Sequence, residues 1–185
     1  MIQTRFLAIH EFENYRTWLQ ERDSDTLALY FGVATSDEFI NHTIERILNN
    51  PEEHYFLVAL KGNKWVGVIH MARISETQME FGVMVHEEHR HQGIADEMMR
   101  EAITWIQNRR FDHLYLHCLN RNGAMKHLAQ KHGLELHEEY GDVEAITHVP
   151  PPSLLSYIQE GMACQKNIFF MNLQRAWSPF SEIHG

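Results

Sequence analysis

Cysteine is nearly missing from this chain of 185 residues: Cys118 and Cys164 are the only two, and their separation fits no zinc or redox spacing and no disulfide framework. Both are expected to be ordinary thiols in apolar surroundings. Long hydrophobic runs are missing too. No stretch nears the roughly 18 uninterrupted apolar residues of a membrane helix, and the opening Met-Ile-Gln-Thr-Arg lacks the basic-then-apolar layout of a secretory leader, so a cytoplasmic protein with no membrane partner is expected. Positive charge is scarce: 16 basic against 25 acidic residues give a formal charge of -9. That balance speaks against a general nucleic-acid binder and favours a cationic small molecule or basic peptide as partner. Neither an internal repeat nor a low-complexity segment occurs. What is there is a 44% hydrophobic content, enough to bury one substantial core, and fourteen histidines scattered from His10 to His184.

Periodicity orders the chain. The alternation in Gln-Thr-Arg-Phe-Leu-Ala-Ile predicts an edge strand, and Phe12, Tyr15, Trp18 and Leu19 predict a short helix over about 11–21. Thr35 with Glu38 reads as a capping box, followed by Phe39, Ile40, Ile44 and Ile47 on one helical face up to Asn49-Asn50-Pro51. Three apolar runs, separated by the turns Lys-Gly-Asn-Lys and Ser-Glu-Thr-Gln, read as an antiparallel meander ending at Val85. Ile94, Met98, Ala102 and Ile106 then make a long amphipathic helix. A strand around Leu114, a helix from Asn122 to His132 closed by Gly133, and further strand from Leu134 to Val149 complete the order. The expected fold is α/β, a mixed sheet flanked by helices, with a parallel crossover from the strand ending at Val85 to the one at Leu114. Residues 1–149 form that domain, and Pro150-Pro151-Pro152 introduces a helical extension over 150–185. Its apolar stripe, including Leu155, Ile158, Met162, Phe169, Phe170, Leu173 and Trp177, is expected to pack on the chain's own sheet edge, to pair with a second copy or to close over the acceptor site, leaving monomer and homodimer both open.

The densest cluster of chemistry is His-Glu-Glu-His-Arg-His-Gln-Gly-Ile-Ala, residues 86–95. Read by side chains it suggests a zinc hydrolase. The zincin pattern needs histidines at i and i+4, however, and here the fifth position is Arg90, whose charge disfavours a dication; no metal is expected. Read by backbone, it is a strand, a loop and a helix start with Gly93 and Ala95 in the first turn. There amide N–H groups converge on an anion, the helix dipole adds to them, and Arg90 supplies charge.

That stretch resembles the acetyl-CoA loop of the GNAT superfamily of N-acyltransferases, whose pattern Gln/Arg-x-x-Gly-x-Gly/Ala is met by Arg90, Gly93 and Ala95. About 30 residues on, Asn122-Gly-Ala-Met-Lys-His-Leu-Ala-Gln-Lys-His-Gly133-Leu134 is similar to the superfamily's second coenzyme A element. Glu80-Phe-Gly-Val-Met-Val85 looks like the matching strand in the bacterial branch that includes protein-lysine acetyltransferases. Asp25 to Phe31 is a looser match there, lacking an arginine where Tyr30 stands.

The resemblance implies acetyl-CoA as cosubstrate, an amine acceptor, and direct transfer of the acetyl group within a ternary complex. An alkylammonium near pKa ~10.4 has no lone pair at neutral pH, so a base is needed; the resemblance places Glu80 there, with burial expected to raise its pKa. It places Val83, Met84, Val85, Arg90, His91, Gln92, Gly93, Ile94, Ala95 and Asn122 at the cofactor, with a backbone N–H of Met84 or Val85 on the oxyanion. Where many members carry a tyrosine acid, this chain has Ala129, which leaves Tyr115 or Cys118 as substitutes and a non-catalytic acyl-CoA sensor as the alternative reading.

Overall fold

The computed structural model describes residues 2–139 and 141–177. Seven strands form one sheet in the order β1-β2-β3-β4-β5-β7-β6: β1 (Ile2–Phe6), β2 (His54–Lys61), β3 (Lys64–Arg73), β4 (Gln78–Val85), β5 (His113–Leu119), β6 (Glu135–Glu139) and β7 (Asp142–His148). Every neighbouring pair is antiparallel except β4 with β5. The predicted meander is β2–β4, and the parallel crossover runs through α4 (Ile94–Asn108). The expected strand over 134–149 is a hairpin, turning at Gly141 with φ 97°.

Strand alternation gives the sheet two dry faces. Leu57, Ile69, Met79, Phe81 and Val83 point to one, where Met98, Met99, Ala102 and Ile106 of α4 cover them together with α5 (Gly123–Lys131). Phe56, Val58, Val68 and Met84 point to the other, under α1 (Asn14–Gln20), α2 (Ser24–Phe31) and α3 (Asp37–Asn49). Helix α1 is shorter than expected, because a 3-10 turn at Ile9–Glu11 precedes it. The cap of α3 shifts by one residue: Ser36, not Thr35, accepts the N–H of Phe39 at 3.2 Å. Helix α2 has no counterpart in the sequence reading. Asp23 caps it by accepting the N–H of Thr26 at 2.8 Å, and Gly32 ends it at φ 76°.

Helix α6 (Leu154–Trp177) lies on α4 and β1 and turns a polar side to them. Asn108 donates to Glu160, Arg109 pairs with Glu160 at 2.8 Å, Lys166 pairs with Glu97 at 2.7 Å, and Asn167 donates to Thr4. Leu155, Ile158 and Met162 of the expected stripe face outward, exposed. The side chains of Phe170, Leu173 and Trp177 lie outside the described residues. Cys118 is buried, whereas Cys164 is exposed on α6, contrary to the apolar setting expected for it.

Candidate active site

Strands β4 and β5 pair only over Gln78, Met79 and Glu80, opposite His113, Leu114 and Tyr115. Beyond Glu80 they part, and β5 keeps its pairing with β7 through Leu119. Hydrogen-bonded pairs in an antiparallel ladder alternate. The bonds from His86 N–H to Val66 and from Ile74 N–H to Gln78, in register with Val68↔Met84, turn the backbone of Glu80, Gly82 and Met84 toward β3. The N–H groups of Val83 and Val85 therefore face the gap. Of the two backbone N–H groups expected at the oxyanion, that of Met84 turns into the β3 ladder, and that of Val85 faces the gap.

One end of the gap opens into a cleft of about 830 Å³ bounded by Val83 to Val85, the loop after them, the start of α4, and α5. A 3-10 turn at Glu87–His89 throws the chain outward, and His91 (φ 59°) and Gly93 (φ 77°) reverse it through left-handed conformations. Gly93 is the N-cap of α4, and the first intrahelical bond runs from Glu97 N–H to Gly93 O at 3.0 Å. The N–H groups of Ile94, Ala95 and Asp96 consequently have no intrahelical acceptor, and they sit at the positive end of a 15-residue helix. A Cβ on Gly93 would meet nothing within 4 Å, so the glycine answers to its dihedral angle and not to crowding.

Arg90 is held over this nest from two sides, donating to Thr26 Oγ1 at 2.7 Å and to Val85 O at 3.3 Å. Thr26 is in turn gripped by Asp23, whose carboxyl lies below the usual range because Thr26 donates to it twice. The far wall is fixed by Asp96, which meets Lys131 at 3.0 Å, His132 at 2.9 Å and Arg100 at 2.7 Å. Those contacts, led by Lys131, hold its carboxyl low and tie α4 to α5. Asn122 caps α5 through its Oδ1, accepting Met125 N–H at 3.2 Å, and lines the cleft. Every residue expected at the cofactor lines the cleft except Gln92, whose side-chain amide turns back to donate to Glu88 O at 3.2 Å.

The metal-like side chains do converge: ligand atoms of His86, Glu88 and His89 lie within 4.8 Å of one another. His86 Nδ1, however, already accepts Glu88 N–H at 3.3 Å, and the Lys61 ammonium stands 3.5 Å from His89 Nε2. A fixed cation there opposes a second one.

On the other side of the gap, a cavity of about 510 Å³ lies between α3 and the strands, with Glu80, His70, His54, His117, Asp142 and Arg46 on its walls. Glu80 is 43% exposed, more open than the burial expected of it, and stands 4.0 Å from His117 Nε2, which is also 3.7 Å from Glu144. His54 Nδ1 and His70 Nε2 are 3.0 Å apart, and His70 stacks on Phe56 with centroids 4.5 Å apart. Burial, with the charge of His54 adding to it, pushes the His70 pKa down to about 3; burial also lowers that of His54. The pair is neutral near pH 7.

Tyr30 lines both spaces. It packs on Gly82 so closely that a Cβ there would stand 2.7 Å from its hydroxyl and 2.8 Å from its ring. Its hydroxyl is 3.0 Å from that of buried Tyr15. Burial pushes the phenol up to about 12, the Tyr15 bond opposes this, and the charge of Glu80 adds to it. Sequence reasoning noticed Tyr30 only as a departure from a pattern; its pairing with Gly82, on a strand remote in sequence, is tertiary. Of the residues considered in place of the absent tyrosine, Cys118 lines the Glu80 cavity, whereas Tyr115 accepts from Gln78 at 3.4 Å and lines neither space. Ala129 itself is fully buried in the core.

The acetyltransferase (GNAT) family model matches residues 9–134 of this sequence. No curated protein matches it. Among solved structures, the fold is similar to the GNAT domain of S. lividans PAT, at 14% identity and a TM-score of 0.66 over 78% of this chain and 89% of that one. It is similar also to the PaiA N-acetyltransferase of Thermoplasma acidophilum in complex with coenzyme A, at 20% identity and 0.62 over 80% and 99%. A third is the spermidine N-acetyltransferase of Vibrio cholerae in complex with CoA and spermine, at 15% identity and 0.64 over 80% and 95%. Identities this low speak for the shared fold alone.

Proposed function

The chain belongs to the acetyltransferase (GNAT) family, with acetyl-CoA as cosubstrate, and from that premise we propose that it moves the acetyl group directly to a primary amine held beside Glu80. The observation that carries this reading is the parting of β4 from β5 immediately after Glu80. It opens a strand edge beside Glu80, the carboxylate we assign as the base.

Pantetheine is an extended chain with amide groups, and adding it to the free edge of β4 would satisfy the outward N–H and C=O of Val83 and the outward N–H of Val85. The pyrophosphate belongs at the N–H groups of Ile94 to Asp96 with Arg90 alongside. The thioester then lies where the gap begins, between Tyr30 and Glu80. Glu80 removes a proton from the ammonium, directly or through water, and the free amine attacks the carbonyl carbon. Negative charge gathers on the carbonyl oxygen, which an outward N–H of β4 stabilises. The C–S bond breaks, and coenzyme A departs as the thiolate or thiol. A coenzyme A thiol is acidic enough to leave without an obligatory acid, so the buried Ala129 does not argue against turnover.

The test is release of free thiol from acetyl-CoA with a mixed panel of amines, comparing the wild type with Glu80→Gln. Turnover that collapses in the variant while acetyl-CoA still raises the melting temperature equally supports the assignment. Wild-type turnover in the variant at neutral pH removes Glu80 as base. Thermal stabilisation by acetyl-CoA without turnover on any amine or protein favours the acyl-CoA sensor.

A further inference from the structure

The acceptor cavity is electrically polarised. Its α3 wall presents Phe39, Thr43, Arg46 and Ile47, positions that recur on one helical face. Arg46 is the charged member. Arg5, Arg16, Arg22, Arg100 and Arg109 sit in carboxylate pairs, whereas Arg73, Arg90, Arg110 and Arg121, like Arg46, make none among the described residues. What sets Arg46 apart is its place: exposed on the outside of α3, it also lines the cavity, where its charge acts on His54 against the larger opposing charge of Glu53. The opposite wall carries Glu80 and Asp142. Neither is neutralised by Lys or Arg among the described residues, and His117 is the only basic group near Glu80. Between the walls lie the neutral His54–His70 pair and the rings of Phe31 and Phe39, 5.2 Å apart.

Two charges of opposite sign, without an ion-pair partner of Lys or Arg or of a carboxylate among the described residues, on facing walls of one space, prescribe the charge pattern of what fits between them. We infer that the acceptor is a small amine that also carries an anionic group, its ammonium end directed to Glu80 and Asp142 and its anionic end to Arg46. A guanidinium offers a planar fork that matches a carboxylate with two parallel hydrogen bonds, so an amino acid is the simplest such molecule. A polyamine would bring its second ammonium against Arg46. The cavity, about 510 Å³, lies in the range of small-molecule pockets.

This inference rests on the acetyl-transfer reading and is tested so that the two can fail separately. The full chain is assayed at saturating acetyl-CoA with amino acids whose amine and carboxylate are separated by successively more methylenes, each beside its own carboxamide, with spermidine and a lysine peptide as further arms. At least one free acid is expected to exceed its carboxamide in kcat/KM by tenfold or more, and to exceed spermidine and the peptide. Arg46→Gln should reduce that advantage to within twofold by raising KM for the acid, with kcat and the KM for acetyl-CoA retained, and Arg46→Lys should restore part of it. Carboxamides, spermidine or the peptide used as well as the acids, or a preference untouched in Arg46→Gln, overturns the inference alone. No turnover on any amine overturns the transfer reading and the inference with it.

Discussion

The two spaces that meet at Tyr30 are built from different material. The cofactor cleft is mostly backbone: the edge of β4, a loop with two left-handed residues, and the bare N–H groups of α4. The acceptor cavity is mostly side chain, gathered from α2, α3 and five strands. Backbone recognition demands particular dihedral angles, which few residue types tolerate, so it leaves a sequence pattern. Side-chain recognition leaves the backbone as it is, so one fold can host many acceptors.

The comparison is broken most severely at the carboxylate of the acceptor side. Glu80→Gln is expected to lower kcat by on the order of 10²- to 10⁴-fold, the usual worth of a positioned base. Acetyl-CoA affinity, followed by calorimetry, should stay within about twofold, a loose bound on what losing a charge outside the phosphate nest does. A comparable loss of cofactor affinity would place Glu80 in the cleft and not in the cavity.

Next in size is Gly93→Ala. Its Cβ points into open space, so the cost is the left-handed φ of 77°, on the order of 1–2 kcal/mol for an L-residue. If the backbone is the cofactor's binding surface, that strain appears as a KM for acetyl-CoA raised by about tenfold, with the acceptor KM unmoved. A change confined to the acceptor KM would contradict the division of labour between the two spaces.

Tyr30 tests their shared wall. Gly82→Ala forces a Cβ to within 2.7 Å of the Tyr30 hydroxyl, so the ring must shift and both KM values should rise. Tyr30→Phe is the milder change. It strands the buried Tyr15 hydroxyl, at a cost of about 1–3 kcal/mol in stability, read as a lower Tm. Gly82→Ala kinetics matching wild type would mean that the wall is not in the reaction path.

Legibility in the sequence follows the same division. The strand, loop and helix from Glu80 to Asn108 could be read because Gly93 and the spacing Ile94, Met98, Ala102, Ile106 each answer to a local constraint. Helix α2 escaped because its apolar residues, Leu27, Leu29, Tyr30 and Phe31, bunch at one end and make no even stripe. The signals that could have found it were Asp23 at the N-cap and Gly32 at the end. The capping box was misplaced by one residue because Thr35 and Ser36 are both capping types, and only the fold decides which faces the helix. Arg46, His54 and His70 were not legible as site residues. Each sits at an ordinary surface-helix or strand position, and it is the packing of α3 across the sheet that brings them to one cavity.

The smallest expected effect separates the halves by acid. In the folded chain His70 titrates near pKa 3, against about 6.5 when unfolded. Above pH 6.5 neither state binds the proton, so nothing is lost. Between the two values the unfolded chain takes up a proton that the folded one refuses, so stability falls as pH drops through 6.5 toward 3. His54 acts in the same sense. Both belong to the acceptor cavity, whereas the lowered carboxylates around the cofactor cleft, Asp23 and Asp96, lose their contribution only in more acid solution. Between pH 7 and 5 the Tm of the wild type should therefore decline more steeply than that of His70→Asn, and backbone amides of β2 and β3 beside the pair should lose exchange protection before those of α4 from Glu97 onward. Equal slopes in the two proteins would mean that His70 takes up its proton as readily in the fold as in the unfolded chain, and below about pH 6.5 the cavity would then hold a second cation beside Arg46.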